Sequence, residues 1–399
     1  MPGSHAGPSG GTWYPPGMTQ PEPHRITVSL QPSYDVVIGR NVLPEIPAWM
    51  RATRLASRYA LVTDATVERL HGPAVGAALR AGGFEVETIV VPAGEAHKTR
   101  ATKEAIEDAL ADAGIGRDGA LLALGGGMVG DLAGFAAATW NRGIPFVAIP
   151  TTLLAMVDAS VGGKTGVDHP AGKNLIGAFH QPSAVFADVG FLTTLPEPEL
   201  RSGLAEVVKC GVIRDASLVA RLRDEAQAGA RDPEWLASVA AAAVAVKAEV
   251  VQADEREGDL RQILNFGHTI GHAVESVSGY ALRHGEAVSI GMVAEARCAV
   301  RLGLLDEDSA RAIEDLLAGL SLPVRVPASP RLTPIAILDA ARADKKSRRG
   351  GLRCAFPSRL GAMARGPSGY GIPLDEALAS EVLSSLCEPA GSAGPAPLR

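Results

Sequence analysis

The chain is poor in several things, and each shortage excludes a class of protein. It has only four cysteines, Cys210, Cys298, Cys354 and Cys387, scattered and with no C-x-x-C pair. That excludes a disulfide framework or a zinc ribbon and predicts reduced thiols in a cytoplasmic protein. Positive charge is not in excess: the formal net charge is −6. A nucleic-acid or acidic-membrane partner is therefore not expected, although local basic residues can still serve a small anionic substrate. No uninterrupted apolar run reaches the roughly eighteen residues of a membrane span. The first residues, MPGSHAGPSGGTWYPPGMTQPEPH, lack the charged start and apolar core of a secretory signal. Aromatic residues make up 4% of the chain, and no fixed-period repeat is present.

What remains is an ordinary globular composition, 46% hydrophobic and 21% charged over 399 residues, enough for two domains. Pro, Gly and Ser mark residues 1–25 as a disordered extension, and 388–399 reads as a disordered tail. Arg25–Gly39 reads as a strand and turn, and 59–64, 84–91 and 119–124 as further strands. Helical spacing covers 66–81 and 98–113. This alternation predicts a Rossmann-like α/β domain with a parallel, doubly wound sheet over 26–194. From 195 to 387 helical periodicity dominates, including 197–213, 233–254, 260–277 and 285–301, which predicts an all-α domain. Residues 323–334 form a Pro-rich connector. A ligand is expected in the cleft between the two halves.

Three of the nine histidines fall between 268 and 284. His268, His272 and Glu275 share one face of a helix, the way a helix presents metal ligands, and His284 stands ready to close the site from the next element. Any one of these histidines alone would more often be an ordinary hydrogen-bonded residue. Spacing does not say which two would bind. Gly126, Gly127 and Gly130 follow a strand and open a helix, so a diphosphate can approach the backbone there. No acid follows at the distance of the usual dinucleotide fingerprint; Asp64, after an earlier strand, is the better ribose candidate. VGGKTG imitates a phosphate loop, but Asp158 stands where the leading Gly belongs, which speaks against a nucleoside triphosphatase. Polar residues crowd the segment 142–174. Glu206 and Lys209 read as a helical i,i+3 ion pair, and 254–257 as a solvated acidic turn.

Taken together, PAGEAHK, GGGMVGDLAGFAAATWNRGI, IPTTLLAMVDASVGGKTGVDHPAGKNLIGAFHQP, LPEPELRSGLAEVVKCG, LRQILNFGHTIGHAVE, RHGEAVSIGM and ADKKSRRGGLR resemble the 3-dehydroquinate synthase family of sugar phosphate cyclases. The resemblance implies an NAD-binding α/β domain and a helical metal-binding domain. It places zinc or cobalt on Glu206, His268 and His284, and moves His272 to a substrate contact. It places NAD on Asp64, Glu95, Lys98, Gly126, Gly127, Asp131, Thr151, Thr152, Thr194, Leu195 and Glu199. Lys164, Lys209, Asp158, His272, Arg142 and Asn265 take catalytic roles, and Lys173, Asn174, Lys247, Arg261 and Lys345 bind substrate. Arg142 reaches the neighbouring subunit of a homodimer. Asp168 stands where many members carry Asn. The implied reaction starts from 3-deoxy-arabino-heptulosonate 7-phosphate. Transient oxidation by NAD permits phosphate elimination; reduction, ring opening and an intramolecular aldol step complete the carbocycle. The alternatives are a sister cyclase of secondary metabolism and, further off, a metal-dependent polyol dehydrogenase.

Overall fold

The computed structural model describes residues 21–170, 172–229, 231–344 and 351–388. Most of the expected extension and tail, and Lys345, lie outside the described residues.

The apolar runs of the first half form one seven-stranded sheet. Its elements are β1 (His24–Val28), β2 (Tyr34–Gly39), α1 (Glu45–Thr53), β3 (Arg58–Asp64), α2 (Ala65–Ala81), β4 (Val86–Val91), α3 (Arg100–Asp112), β5 (Gly119–Gly125), α4 (Gly127–Thr139) and β6 (Phe146–Pro150). A hairpin follows, β7 (Lys164–His169) and β8 (Gly172–Phe179), and then β9 (Ala184–Asp188). The sheet order is β1-β2-β9-β6-β5-β3-β4. Only β1 runs antiparallel to its neighbour, so the single strand expected over 25–39 is a hairpin that turns at 29–33. Strands β5, β6 and β9 are buried along their whole length, as a sheet covered on both faces requires.

From β3 the chain steps to β4 on one side, then returns past β3 to β5 and continues the other way. The carboxyl ends of β3 and β5 are therefore a topological switch point, where open α/β sheets bind ligands. Asp64 ends β3 and Gly126 follows β5, on paired neighbouring strands.

The second half is helical: α5 (Glu197–Arg214), α6 (Ala216–Gly229), α7 (Pro233–Ala253), α8 (His268–Val277), α9 (His284–Arg301), α10 (Glu307–Gly319) and α11 (Pro334–Asp344). It is not purely so. Short ladders join β10 (Arg353–Cys354) to β13 (Ile372–Pro373) and β11 (Pro357–Arg359) to β12 (Ala362–Met363), before α12 (Glu376–Leu386). Helix α7 has the length and composition of a membrane span, yet it packs against β1, β2 and α5 and carries the buried Lys247.

The helix expected over 260–277 is broken. Leu260–Asn265 is a 3₁₀ turn, and Gly267 takes a left-handed φ of 80° before α8 begins. A side chain there would meet Met292 and the Val288 carbonyl. Fully buried Glu295 of α9 caps the new helix start, accepting from Gly267 N at 2.8 Å and Ile270 N at 3.2 Å. Helix α9 is held equally close at Gly291, where a Cβ would collide with the Gly267 carbonyl oxygen. Gly291→Ala is therefore expected to force α8 and α9 apart and to cost about 1–3 kcal/mol or more, the range for overpacking. Denaturant unfolding of the purified variant measures this.

Candidate active site

Four helices deliver charged or ligating groups to one place. Glu206 and Lys209 come from α5, Lys247 from α7, His268 and His272 from α8, and His284 from α9. The π-helical turn Ala155–Ala159 adds Asp158. Glu206 and Lys209 do form the i,i+3 pair that their spacing suggests, and both are fully buried. Burying an ion pair rarely adds net stability, so its presence points to function.

Glu206 is the centre of the arrangement. Lys209 lies against its Oε2, which leaves Oε1 to face the histidines. Its Oε1 stands 3.4 Å from His268 Nε2 and 3.5 Å from His284 Nε2. Ligands at about 2.1 Å around a tetrahedral cation are about 3.4 Å apart, so these three groups match the spacing of a metal's ligand set. The outward nitrogens are fixed too. His268 Nδ1 is 3.1 Å from the Phe266 carbonyl, and His284 Nδ1 is 3.3 Å from Glu275 Oε2. Donation through Nδ1 makes Nε2, the atom facing Glu206, the ring nitrogen left to a metal in each case.

The nitrogens of His268, His272 and His284 also gather within 4.8 Å of one another, so His272 adjoins the cluster, but from an exposed position. Glu275, on the same helical face, points instead to the outer side of His284. Electrostatics favour a cation here. Burial and the nearby Lys209 keep His268 well below its usual pKa, in the neutral, ligating form. Burial opposes charge on His284, yet Glu206 and Glu275 outweigh it and pull its pKa up to about 10. Burial raises the Glu206 carboxyl, but Lys209 and His268 hold it well below the usual range.

Beside this cluster Asp158 joins two lysines. Its Oδ1 is 2.6 Å from Lys247 Nζ and 3.9 Å from Lys209 Nζ. Burial pushes Lys247 down despite this partner and raises the demand for a further anion. Glu257 is the residue that sequence reasoning missed. It is not in a solvated turn: it takes Lys164 Nζ at 2.5 Å and Asn265 Nδ2 at 2.6 Å. An acidic run carries no local signal that one of its members faces a cleft. Arg261 is buried; its Nη2 donates to the Gly162 carbonyl at 3.0 Å and its Nη1 to the Glu255 carbonyl.

The glycine turn lies at the switch point. Gly126 starts α4 with no side-chain cap, so first-turn N–H groups of α4 remain for an anion, and a Cβ at Gly130 would meet nothing within 4 Å. Asp64 uses Oδ1 to cap α2, through Thr66 N and Val67 N. Thr151 and Thr152 follow β6 directly, and Thr152 Oγ1 accepts from Ala155 N. Lys98, buried, donates to Asp131 and Asn174, with Glu95 Oε1 at 3.9 Å. Burial raises Asp131 to about 6 even so. Thr194 and Leu195 lead into α5, where Glu199 takes Arg283 Nε at 2.8 Å beside His284. This uncapped helix start, set between Asp64 and the two threonines, fits a dinucleotide. Arg142 stays apart, exposed in a left-handed turn after α4.

The family profile described as 3-dehydroquinate synthase N-terminal matches residues 88–202, and the C-terminal one matches residues 203–347. A 3-dehydroquinate synthase of Synechococcus sp. is 47% identical over 346 residues, covering 84% of this chain and 93% of the relative. Two solved structures share the fold. One is 2-deoxy-scyllo-inosose synthase with carbaglucose-6-phosphate, NAD+ and Co2+ (TM-score 0.81, 26% identity, 91% of this chain and 99% of that one). The other is 2-epi-5-epi-valiolone synthase of Streptomyces hygroscopicus with NAD+ and Zn2+ (TM-score 0.80, 32% identity, 94% and 99%). With both halves matched in order, and a relative at 47% identity along most of its length, the chain belongs to the 3-dehydroquinate synthase family.

Proposed function

We propose that this chain converts 3-deoxy-D-arabino-heptulosonate 7-phosphate to 3-dehydroquinate and phosphate, the second step of the shikimate pathway. The observation that carries the site assignment is Glu206, a fully buried carboxylate whose Oε2 meets Lys209 and whose Oε1 faces two histidine Nε2 atoms at 3.4 and 3.5 Å. Glu206, His268 and His284 hold a divalent metal, zinc or cobalt. His272, exposed on the same helix, contacts substrate. When bound, NAD takes up and returns a hydride, while the metal polarises a substrate hydroxyl.

The chain's own residues supply position and charge. Asp158 fixes Lys209 and Lys247 as a buried pair of cations against the substrate's anionic groups. Lys164 and Asn265 are held by Glu257, so one carboxylate orients two groups toward the cleft. Lys173 and Asn174 enter from β8, next to the dinucleotide turn. The turn at Gly126 and Gly127, with Asp64, Glu95, Lys98, Asp131, Thr151, Thr152, Thr194, Leu195 and Glu199, holds NAD. In this reading the protein is a homodimer, and Arg142, exposed on its own chain, serves the neighbouring subunit's site. A cytoplasmic setting is supported by four cysteines that form no disulfide.

Because hydride is taken and returned within one turnover, NAD is regenerated. With NAD below the enzyme concentration, product is expected to exceed one equivalent per NAD, with no net rise in NADH absorbance. Product that stops at one equivalent identifies a simple dehydrogenase instead. Phosphate release compared among the heptulosonate phosphate, sedoheptulose 7-phosphate and glucose 6-phosphate tests the substrate. Preference for a sugar without a carboxylate assigns the chain to a sister cyclase.

A further inference from the structure

We propose that Glu275 is a positioning residue for the metal centre, fixing the tautomer and ring direction of His284, and that Lys173 locks Glu275 in that role. The inference rests on the ligand reading above. Glu275 lies on α8 and His284 on α9, so the contact crosses between the two helices that present histidines to the site. Its two oxygens are divided. Oε2 is 3.3 Å from His284 Nδ1, and Oε1 is 2.8 Å from Lys173 Nζ. Lys173 is itself confined, over the Tyr280 ring at 4.4 Å and 3.7 Å from Glu95 Oε1.

The division matters chemically. An ionised carboxylate only accepts hydrogen bonds, so Nδ1 beside it must carry the proton. Nε2 is then the nitrogen left to a metal, which would displace any proton there, and it is the atom 3.5 Å from Glu206 Oε1. His268 gets the same constraint from a backbone carbonyl, which no side-chain substitution removes. His284 alone depends on a side chain. In Glu275→Gln the single amide oxygen is drawn to the Lys173 ammonium, and the amide NH2 turns to Nδ1. That favours the opposite tautomer, with Nε2 protonated and unable to ligate.

The test starts from the metal-loaded protein, stripped and re-titrated with zinc against a chelator of known affinity. E275Q is expected to bind zinc about 10–100-fold more weakly, the usual effect of losing a ligand's outer partner. Cobalt-substituted E275Q is expected to show an altered visible spectrum, while NAD affinity stays as in the parent. K173M is expected to weaken zinc less than E275Q and to add no loss in the double variant, because it acts through Glu275. Parental zinc affinity and cobalt spectrum in E275Q overturn the proposal while leaving the ligand assignment intact. Full zinc retention in H284A overturns both. If E275Q fails to fold, K173M alone decides: an unchanged zinc affinity in K173M then rejects the coupling and the positioning role with it.

Discussion

Replacing His268 with alanine is expected to abolish metal retention and turnover together while leaving NAD binding in place. The imidazole is one of three groups within reach of a common cation, and its Nε2 stands 3.4 Å from Glu206 Oε1. Without it the site keeps one histidine and a carboxylate that Lys209 already contacts. Affinity should fall by more than the ~10–100-fold that loss of an outer partner produces. Polarising a substrate oxygen is worth several kcal/mol, so kcat should drop by a factor on the order of 10³ or more. NAD affinity reports that the α/β half and the start of α5 stay folded, because the dinucleotide residues lie there. Metal content after dialysis, measured by atomic emission, is the direct readout. A full equivalent of zinc in the variant would remove His268 from the ligand set.

How much of this was legible beforehand differs by element. The strands at 59–64 and 119–124 were visible because a sheet covered on both faces demands unbroken apolar runs. The β1–β2 hairpin was not, since 25–39 reads as one extended stretch and only the turn at 29–33 separates the two arms. The helix across 260–277 kept its period through Phe266 and Gly267, where the chain breaks. The break comes from contact with α9, which a one-dimensional period does not register. The histidine face of α8 was legible from spacing, and His268 and His272 do lie side by side, 5.2 Å between ring centres. Spacing made Glu275 a candidate ligand, but its carboxylate meets His284 from behind. Glu206 joins from α5, far off in sequence. Only resemblance to a family singled it out, because nothing local distinguishes a buried Glu-Lys pair from a surface one.

Arg261→Ala is expected to reduce kcat/KM for the heptulosonate phosphate by about 10- to 150-fold, and to affect sedoheptulose 7-phosphate much less. Helical periodicity would set Arg261 two turns before His268 on one continuous helix, but the break at Gly267 removes that relation. The geometry supplies a better reason. Arg261 is 2% exposed, so a surface pairing with Glu257 or Asp259 is excluded; Asp259 pairs with Arg365 instead. Its Nη atoms are spent on the Glu255 and Gly162 carbonyls, whereas its buried Nε has no hydrogen-bond partner among the described residues. Burial pushes its pKa down even though Glu257 and Asp158 are near. A buried guanidinium that meets neutral carbonyls and keeps its Nε donor unsatisfied is poised for an anion. Lys247 adds a second cation, whose carboxylate partner among the described residues is Asp158. Charge-assisted bonds to a buried group are worth about 1.5–3 kcal/mol, which sets the expected factor. The competing account is that Arg261 staples the Gly162 turn, where a Cβ would meet its Nη2 at 2.5 Å. A staple serves every substrate alike. Equal losses for both sugars would therefore assign Arg261 to the turn. Equal kcat/KM for both sugars in the parent, unchanged by the substitution, would reject the clamp and the heptulosonate reading with it.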